Sequence, residues 1–95
     1  MKISDLQNGA VFEDLLCVIK SVHSNEKDFS LCLADADSSV RAVVSKKGYD
    51  YQTLNALKEH PIRIGGVVKP DVKEGFYVKV KSIIKDESSS FSEVQ

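Results

Sequence analysis

The sequence has no tryptophan, only two prolines and no apolar run close to the roughly 20 residues that cross a bilayer. Its N-terminal segment carries Asp5 early and lacks the apolar core of about 7 to 15 residues that marks a signal peptide. These absences predict a cytoplasmic protein that has no membrane partner.

Cysteine is also scarce. The two cysteines, Cys17 and Cys32, each lie inside an apolar stretch, where a free cysteine packs as a small hydrophobic residue. We therefore expect both thiols to be reduced, and a disulfide between neighbouring strands is the alternative. Two cysteines and two distant histidines do not have the spacing of a zinc site, so we expect no metal and no cofactor.

The sequence contains no recognisable set of catalytic residues. His23 lies at the end of a predicted strand and His60 at the end of a predicted helix, and neither is placed as a general base. Asp35 and Asp37 lie in a short turn, where aspartate is expected to bind the backbone, and no third carboxylate has the spacing of a cation site. The sequence thus predicts a protein that is not an enzyme.

Apolar and polar residues alternate with period two over most of the chain, which is typical of strands with one buried face. The pattern predicts strands over 11–22, 29–34, 40–45, 62–69 and 76–84. Asp50 is placed to cap a helix over 51–59. Gly65 and Gly66 do not fit a phosphate-binding loop and are expected to allow sharp coiling or a bulge.

Three strands, one helix and two strands is the element order of the five-stranded Greek-key OB barrel, in which the helix lies between strands 3 and 4. We therefore predict an all-β OB-type barrel over residues 1–85, with an open α+β sheet as the alternative fold. The acidic, serine-rich residues 86–95 are predicted to form a flexible tail.

Charge is distributed unevenly along the chain, although the total is only −1. Residues 1–39 carry −4, residues 40–85 carry +6 and residues 86–95 carry −3. The second half can therefore form a locally basic surface despite the nearly neutral total.

Outward strand positions hold much of this basic charge. Because strand 5 lies between strands 3 and 4 in an OB barrel, cations on these strands can share one surface. The predicted nucleic-acid-binding residues are Arg41, Lys46, Lys47, Arg63, Lys79 and Lys81, with Tyr49, Tyr51 and Tyr77 as stacking candidates. The alternatives are that the charges only maintain solubility and that the tyrosine rings pack on the end of the barrel.

A second surface is apolar. Strand 1 has no polar face from Leu15 to Ile19, and Cys32, Ala34, Val43 and Val67 are expected to point outward. Such a wall favours contact with another protein or a second copy of the chain, unless the N-terminal residues cover it.

Four segments carry a family resemblance: Ile3-Ser4-Asp5-Leu6 with Gly9, Leu31-x-Leu33-x-Asp35, Ile62-x-Ile64-x-Gly66-x-Val68, and Val78-x-Val80-x-Ser82-Ile83. Together they resemble OB-fold domains of the tRNA-anticodon-binding type, and especially the N-terminal domain of HD-domain exoribonucleases. The resemblance spans nearly all of residues 1–85 and is mostly strand patterning. It implies an accessory domain that binds single-stranded nucleic acid.

The chain departs from that family at the end of strand 3. Such domains often have an aromatic residue there, whereas this chain has Val44-Ser45-Lys46. An aromatic platform contributes about 1–3 kcal/mol per stacked base. We therefore expect a binding module for single-stranded RNA or DNA that binds weakly and with low sequence specificity. The alternative is a protein-interaction or oligomerisation module that uses the apolar wall.

Overall fold

A computed structural model describes residues 2–73 and 75–86. The elements are a short 3₁₀ helix (Ile3–Asp5), β1 (Val11–Ser24), β2 (Asp28–Ala34), β3 (Ser39–Ser45), α1 (Tyr51–Ala56), β4 (Ile62–Asp71) and β5 (Gly75–Lys85). The strands form a closed barrel in the order β1-β2-β3-β5-β4. This confirms the predicted all-β OB barrel, including the helix between β3 and β4 and the position of β5 between β3 and β4.

β1 closes the barrel because its two halves pair with different strands. Val11 lies opposite Val67 on β4, and Val18 lies opposite Ala34 on β2. Irregularities in register between Phe12 and Leu15, and between Ile19 and Ser21, accompany this change of partner. The apolar run from Leu15 to Ile19 is buried on both faces, because Leu15, Cys17 and Ile19 lie in the main core cluster while Val18 packs with Ala34 in a second cluster.

The barrel interior is filled by the inward side of the alternating pattern. Fully buried residues include Leu15, Ile19, Leu33, Ile64 and Val78. The ends are closed by other elements: Leu54 of α1, together with Ile3 and Leu6 of the N-terminal segment, joins the same core cluster. On β3 and β5 the opposite side is exposed at Arg41, Lys79 and Lys81.

The glycine pair on β4 lies at a bulge, as predicted. The register between β4 and β5 shifts between Gly65 and Gly66. A Cβ on Gly66 would collide with the carbonyl oxygen of Lys79 and would lie 3.2 Å from the Cα of Val80. The close approach of two backbones therefore explains the requirement for glycine at position 66.

The helix is shorter than the predicted range of 51–59. Its start is as predicted, since the Asp50 carboxylate accepts a 2.7 Å hydrogen bond from the amide of Thr53. The helix ends at Ala56, however, and Glu59 adopts a positive φ of 67°. The Glu59 amide donates to the carbonyl oxygen of Ile19 on β1, at 3.2 Å. This long-range bond, which the local sequence does not encode, redirects the chain toward β4.

The strand ends also differ slightly from prediction. β1 extends to Ser24, and β4 continues through Pro70, opposite Phe76, to Asp71. Of the predicted tail, only Asp86 is described, and it is buried beside β4; residues 87–95 lie outside the described residues. No helix within residues 2–73 and 75–86 has the length and apolar character needed to span a membrane.

Candidate nucleic-acid interface

The outward face of β3, β5 and β4 carries most of the predicted binding residues. Lys79 on β5 lies between Val43 on β3 and Val67 on β4. One step along the face, Tyr77 lies opposite Lys69. Lys69, Lys79 and Lys81 are all exposed. The alternation of each strand and the position of β5 therefore place these lysines on one surface, as predicted for Lys79 and Lys81; Lys69 was not among the predicted residues.

Arg41 on β3 is held by two neighbours. Its guanidinium carbon lies over the ring of Tyr77, 5.3 Å from the ring centroid. Its Nη2 donates to the Oδ2 of Asp71, at 3.2 Å. Tyr77 is half-buried, and about 40% of the Arg41 side chain is exposed. The guanidinium is thus positioned by an aromatic face and a carboxylate while part of it still faces solvent.

Asp71 uses its two carboxylate oxygens on different elements. Oδ1 accepts a hydrogen bond from the amide of Lys73 at 3.0 Å and so closes the β4–β5 loop, while Oδ2 accepts from Arg41. The hydrogen bond from the Lys73 amide and, after it, the bond and charge of Arg41 lower the pKa of Asp71 below its usual value. Asp71 therefore remains an anion at neutral pH and links the loop to Arg41.

Three clefts meet at Arg41. The first, of about 500 Å³, crosses β1, β2 and β3, and the second, of about 460 Å³, lies along the β1–β2 loop. The third, of about 520 Å³, lies along the β4–β5 loop. Residues lining them include Ser21, His23, Ser30, Cys32 and Phe76 in the first, Lys27 and Tyr77 in the second, and Val72 and Lys73 in the third. Arg41 is therefore the residue that lines all three clefts.

The other predicted stacking and basic residues gather at the end of the barrel where α1 begins. Lys46 Nζ lies 5.1 Å from the centroid of the Phe29 ring, and the Tyr51 ring lies 6.4 Å from the same ring. Tyr49 is half-buried against the core, and its hydroxyl accepts a hydrogen bond from the amide of Ile83 at 3.1 Å. Lys47 is exposed in the turn after β3. None of these four residues lines the clefts at Arg41.

Arg63 points outward as predicted, but it lies toward the other end of β4. Its Nη1 donates to Asp14 Oδ1 at 2.6 Å, and its Nη2 lies 3.4 Å from Asp86 Oδ2. The bond to Asp14, followed by the charges of both carboxylates, raises the pKa of Arg63. Arg63 is four residues from Val67, which corresponds to about 13 Å along a strand. Two carboxylates therefore compensate its charge, away from the clefts.

The predicted apolar wall is only partly accessible. Val18 is fully buried and Ala34 is nearly so, and the two form a small cluster with Leu16. Cys32, Val43 and Val67 are each half-buried. The N-terminal residues Ile3 and Leu6 pack in the main core cluster and not in this small one.

Asp35 and Cys17 have structural surroundings in the fold. Asp35 Oδ1 accepts from the amides of Asp37 and Ser38, which confirms the predicted turn. Both cysteines are free thiols, and burial, followed by the charge of Asp35, raises the pKa of Cys17 to about 12. Within the described part of the chain, no three histidine, cysteine, aspartate or glutamate residues cluster as metal ligands.

Sequence reasoning did not predict most of the residues that line the clefts, among them Asp71, Phe76 and Lys73. Asp71 lies just beyond the predicted strand 62–69, and the local sequence does not reveal its partner Arg41, which is 30 positions away in the chain. Phe76 was assigned to a strand face by alternation alone. The position of the turn between β4 and β5, beside strand 3 of an OB barrel, is the one sequence signal that could have indicated them.

The fold is that of OB-fold domains in solved structures. Asparaginyl-tRNA synthetase from Pyrococcus horikoshii matches 95% of this chain with a TM-score of 0.72 at 20% identity, and the match covers 23% of that protein. The second OB-fold domain of replication protein A from Methanococcus maripaludis matches 95% of this chain and 99% of that domain, with a TM-score of 0.68 at 19% identity.

A replication protein A heterotrimer bound to single-stranded DNA matches 86% of this chain and 62% of the chain compared, with a TM-score of 0.62 at 11% identity. Neither the protein-family models nor the curated proteins give a match. The chain therefore has the OB fold, spans less than a quarter of the synthetase, and is close in extent to the replication protein A domain. The finer resemblance to HD-domain exoribonucleases stays a prediction.

Proposed function

We propose that this chain is a non-catalytic OB-fold module that binds single-stranded RNA or DNA with little sequence preference. The convergence of three clefts on Arg41 carries the proposal. In OB folds, oligonucleotides bind on the face of strands 2 and 3 between the β1–β2 and β4–β5 loops. The clefts of this chain lie between the same elements. One solved structure of similar fold, a replication protein A heterotrimer, is bound to single-stranded DNA.

Exposed lysines on strands beside the clefts, outside the cleft linings, fit a polyanion that crosses the barrel. Lys79 and Lys81 are exposed on β5, beside the strand that carries Arg41, and Lys69 is exposed on β4. A flexible single strand follows a basic groove by neutralising its phosphates, and its bases stack on aromatic or guanidinium faces. Tyr77 with Arg41 is the stacking surface in this groove.

Titration of fluorescent single-stranded oligonucleotides over a range of salt concentrations tests the proposal. The parent protein should bind unrelated sequences with similar affinity, and its affinity should fall as salt rises. Each lysine that contacts a phosphate contributes about 0.7 to the slope of log K against log salt. Replacing Lys79 and Lys81 together by alanine should therefore reduce the slope by about 1.4 if both make such contacts.

Lys58→Ala is the matched control, because Lys58 follows α1 and does not lie on β3, β5 or β4. It should leave both affinity and slope unchanged. If the parent protein binds no oligonucleotide, or if the double variant keeps the parent slope, the proposal is wrong. Concentration-dependent self-association of the parent without oligonucleotide binding would instead support the protein-interaction alternative.

A further inference from the structure

We propose that Arg41 binds a nucleobase by stacking, held in position by Asp71 and Tyr77, and does not serve as a phosphate contact. This inference rests on the proposed function and specifies which part of the ligand the centre of the site recognises. It also separates Arg41 from the lysines, with which the sequence groups it as part of one basic surface.

Charge compensation disfavours a phosphate at this position. The guanidinium already donates to the Asp71 carboxylate at 3.2 Å. A phosphate that approached Arg41 would have to compete with that carboxylate and would meet its negative charge. The Asp71 carboxylate also accepts a hydrogen bond from the amide of Lys73 at 3.0 Å, so displacing it from Arg41 would disturb a second contact.

The same contacts suit a base. A guanidinium is planar and weakly hydrated, and it stacks on aromatic rings and on nucleobases. One side of the Arg41 guanidinium is supported by the Tyr77 ring, 5.3 Å away, and the side chain is about 40% exposed where the three clefts meet. A base entering the clefts could extend this stack. Arg41 and Tyr77 together thereby supply a stacking platform for a base, in place of the aromatic residue that is missing from the end of β3.

Arg41→Lys separates the two roles because it keeps the positive charge and removes the planar group. If Arg41 stacks on a base, Arg41→Lys should weaken binding of an oligothymidine by about tenfold, within the range measured for loss of one stacked base, with an unchanged salt slope. If Arg41 contacts a phosphate, the variant should bind like the parent with the parent slope.

An abasic oligonucleotide of the same length gives an independent readout. It keeps the phosphates and lacks the bases, so the parent should bind it more weakly than oligothymidine. Arg41→Lys should show a smaller difference between the two ligands than the parent does. An oligonucleotide that carries 2-aminopurine should lose part of its fluorescence on binding the parent, and less on binding the variant.

Asp71→Asn tests the positioning role of the carboxylate. Removal of the Asp71 charge should favour the approach of a phosphate to Arg41, so the salt slope should rise by up to about 0.7 and binding of the abasic strand should strengthen. The fluorescence change with 2-aminopurine should decrease at the same time. If Asp71 merely closed the loop, Asp71→Asn would leave the salt slope, the binding of the abasic strand and the fluorescence change as they are in the parent.

The inference is wrong if Arg41→Lys binds oligothymidine like the parent, or if the abasic strand binds the parent as tightly as oligothymidine. In either case the proposed function still stands as long as salt-dependent binding that requires Lys79 and Lys81 is observed. If the parent binds no oligonucleotide, the proposed function and this inference are both wrong. Circular dichroism and thermal melting confirm that each variant is folded.

Discussion

The Asp35 carboxylate accepts a 2.8 Å hydrogen bond from the amide of Ile3, 32 residues earlier in the chain. The other carboxylate oxygen closes the β2–β3 turn through the amides of Asp37 and Ser38. One side chain thus ties the N-terminal 3₁₀ helix, which brings Ile3 into the core, to the hairpin that carries Arg41.

Asp35→Ala should lower the free energy of unfolding by about 1–2 kcal/mol, a value reduced for the partial exposure of the carboxylate. Chemical denaturation at pH 7 measures this change. Asp37→Ala is the matched control, since the Asp37 carboxylate makes only a 3.8 Å ion pair with Lys2 in which both side chains are about two-thirds exposed. Equal stability of the two variants would contradict the proposed link to the N-terminal segment.

The contribution of Asp35 should also depend on pH. Partial burial acts to raise the pKa of Asp35, but the amides of Ile3, Asp37 and Ser38, with Lys2, lower it below the usual 3.8. A lowered pKa in the folded state means that the stabilisation is complete above the unfolded value of 3.8 and is lost as the pH falls through the folded value. The stability difference between the parent and Asp35→Ala should therefore shrink below about pH 4.

Gly66→Val should be the most damaging of the glycine substitutions, because its Cβ would collide with the backbone at Lys79. We expect a loss of about 3 kcal/mol or more, or failure to fold. Gly9→Ala should cost about 1–2 kcal/mol, since Gly9 has a φ of 84° but open space around it. Gly48→Ala should be nearly neutral, because Gly48 has neither a positive φ nor a close neighbour. Thermal melting of the three variants measures the order of their stabilities.

Arg63→Ala should leave oligonucleotide affinity and salt slope unchanged but should lower the melting temperature. The reason is that the charge of Arg63 is compensated by Asp14 and by the buried Asp86. Lys79, in contrast, lies opposite Val43, which lines one of the clefts at Arg41. Lys79→Ala should show the opposite pattern, with a reduced slope and an unchanged melting temperature. A reduced salt slope for Arg63→Ala would place Arg63 within the interface after all.

The two cysteines should report the position of bound ligand. Cys32 is half-buried and lines the cleft across β1, β2 and β3, whereas Cys17 is buried with its pKa raised to about 12. Because the thiolate is the reactive form, a thiol reagent should modify Cys32 in the folded protein and Cys17 only after unfolding. A bound oligonucleotide should slow modification of Cys32 severalfold. Equal rates with and without ligand would mean that the ligand lies elsewhere.

Local regularities in the sequence were sufficient to predict the strands and the outward position of the lysines. Period-two alternation depends only on the geometry of an extended backbone. Val78 and Val80 could therefore be assigned to the inner face and Lys79 to the outer face without knowledge of the adjacent strands. The helix cap formed by Asp50 and the bulge at Gly66 could likewise be predicted from a few adjacent residues.

By itself the sequence therefore determined the element order, the OB barrel and a basic outer face on β3, β5 and β4. The tertiary structure decided which charges are compensated and where the surface is concave. Arg41 and Arg63 have equivalent outward positions in the pattern, yet one pairs with Asp71 where three clefts meet and the other pairs with Asp14 and Asp86 outside them. Arg41 and Asp71 are 30 residues apart in the chain, and Arg63 and Asp14 are 49 residues apart. Strand pairing alone brings the members of each pair together.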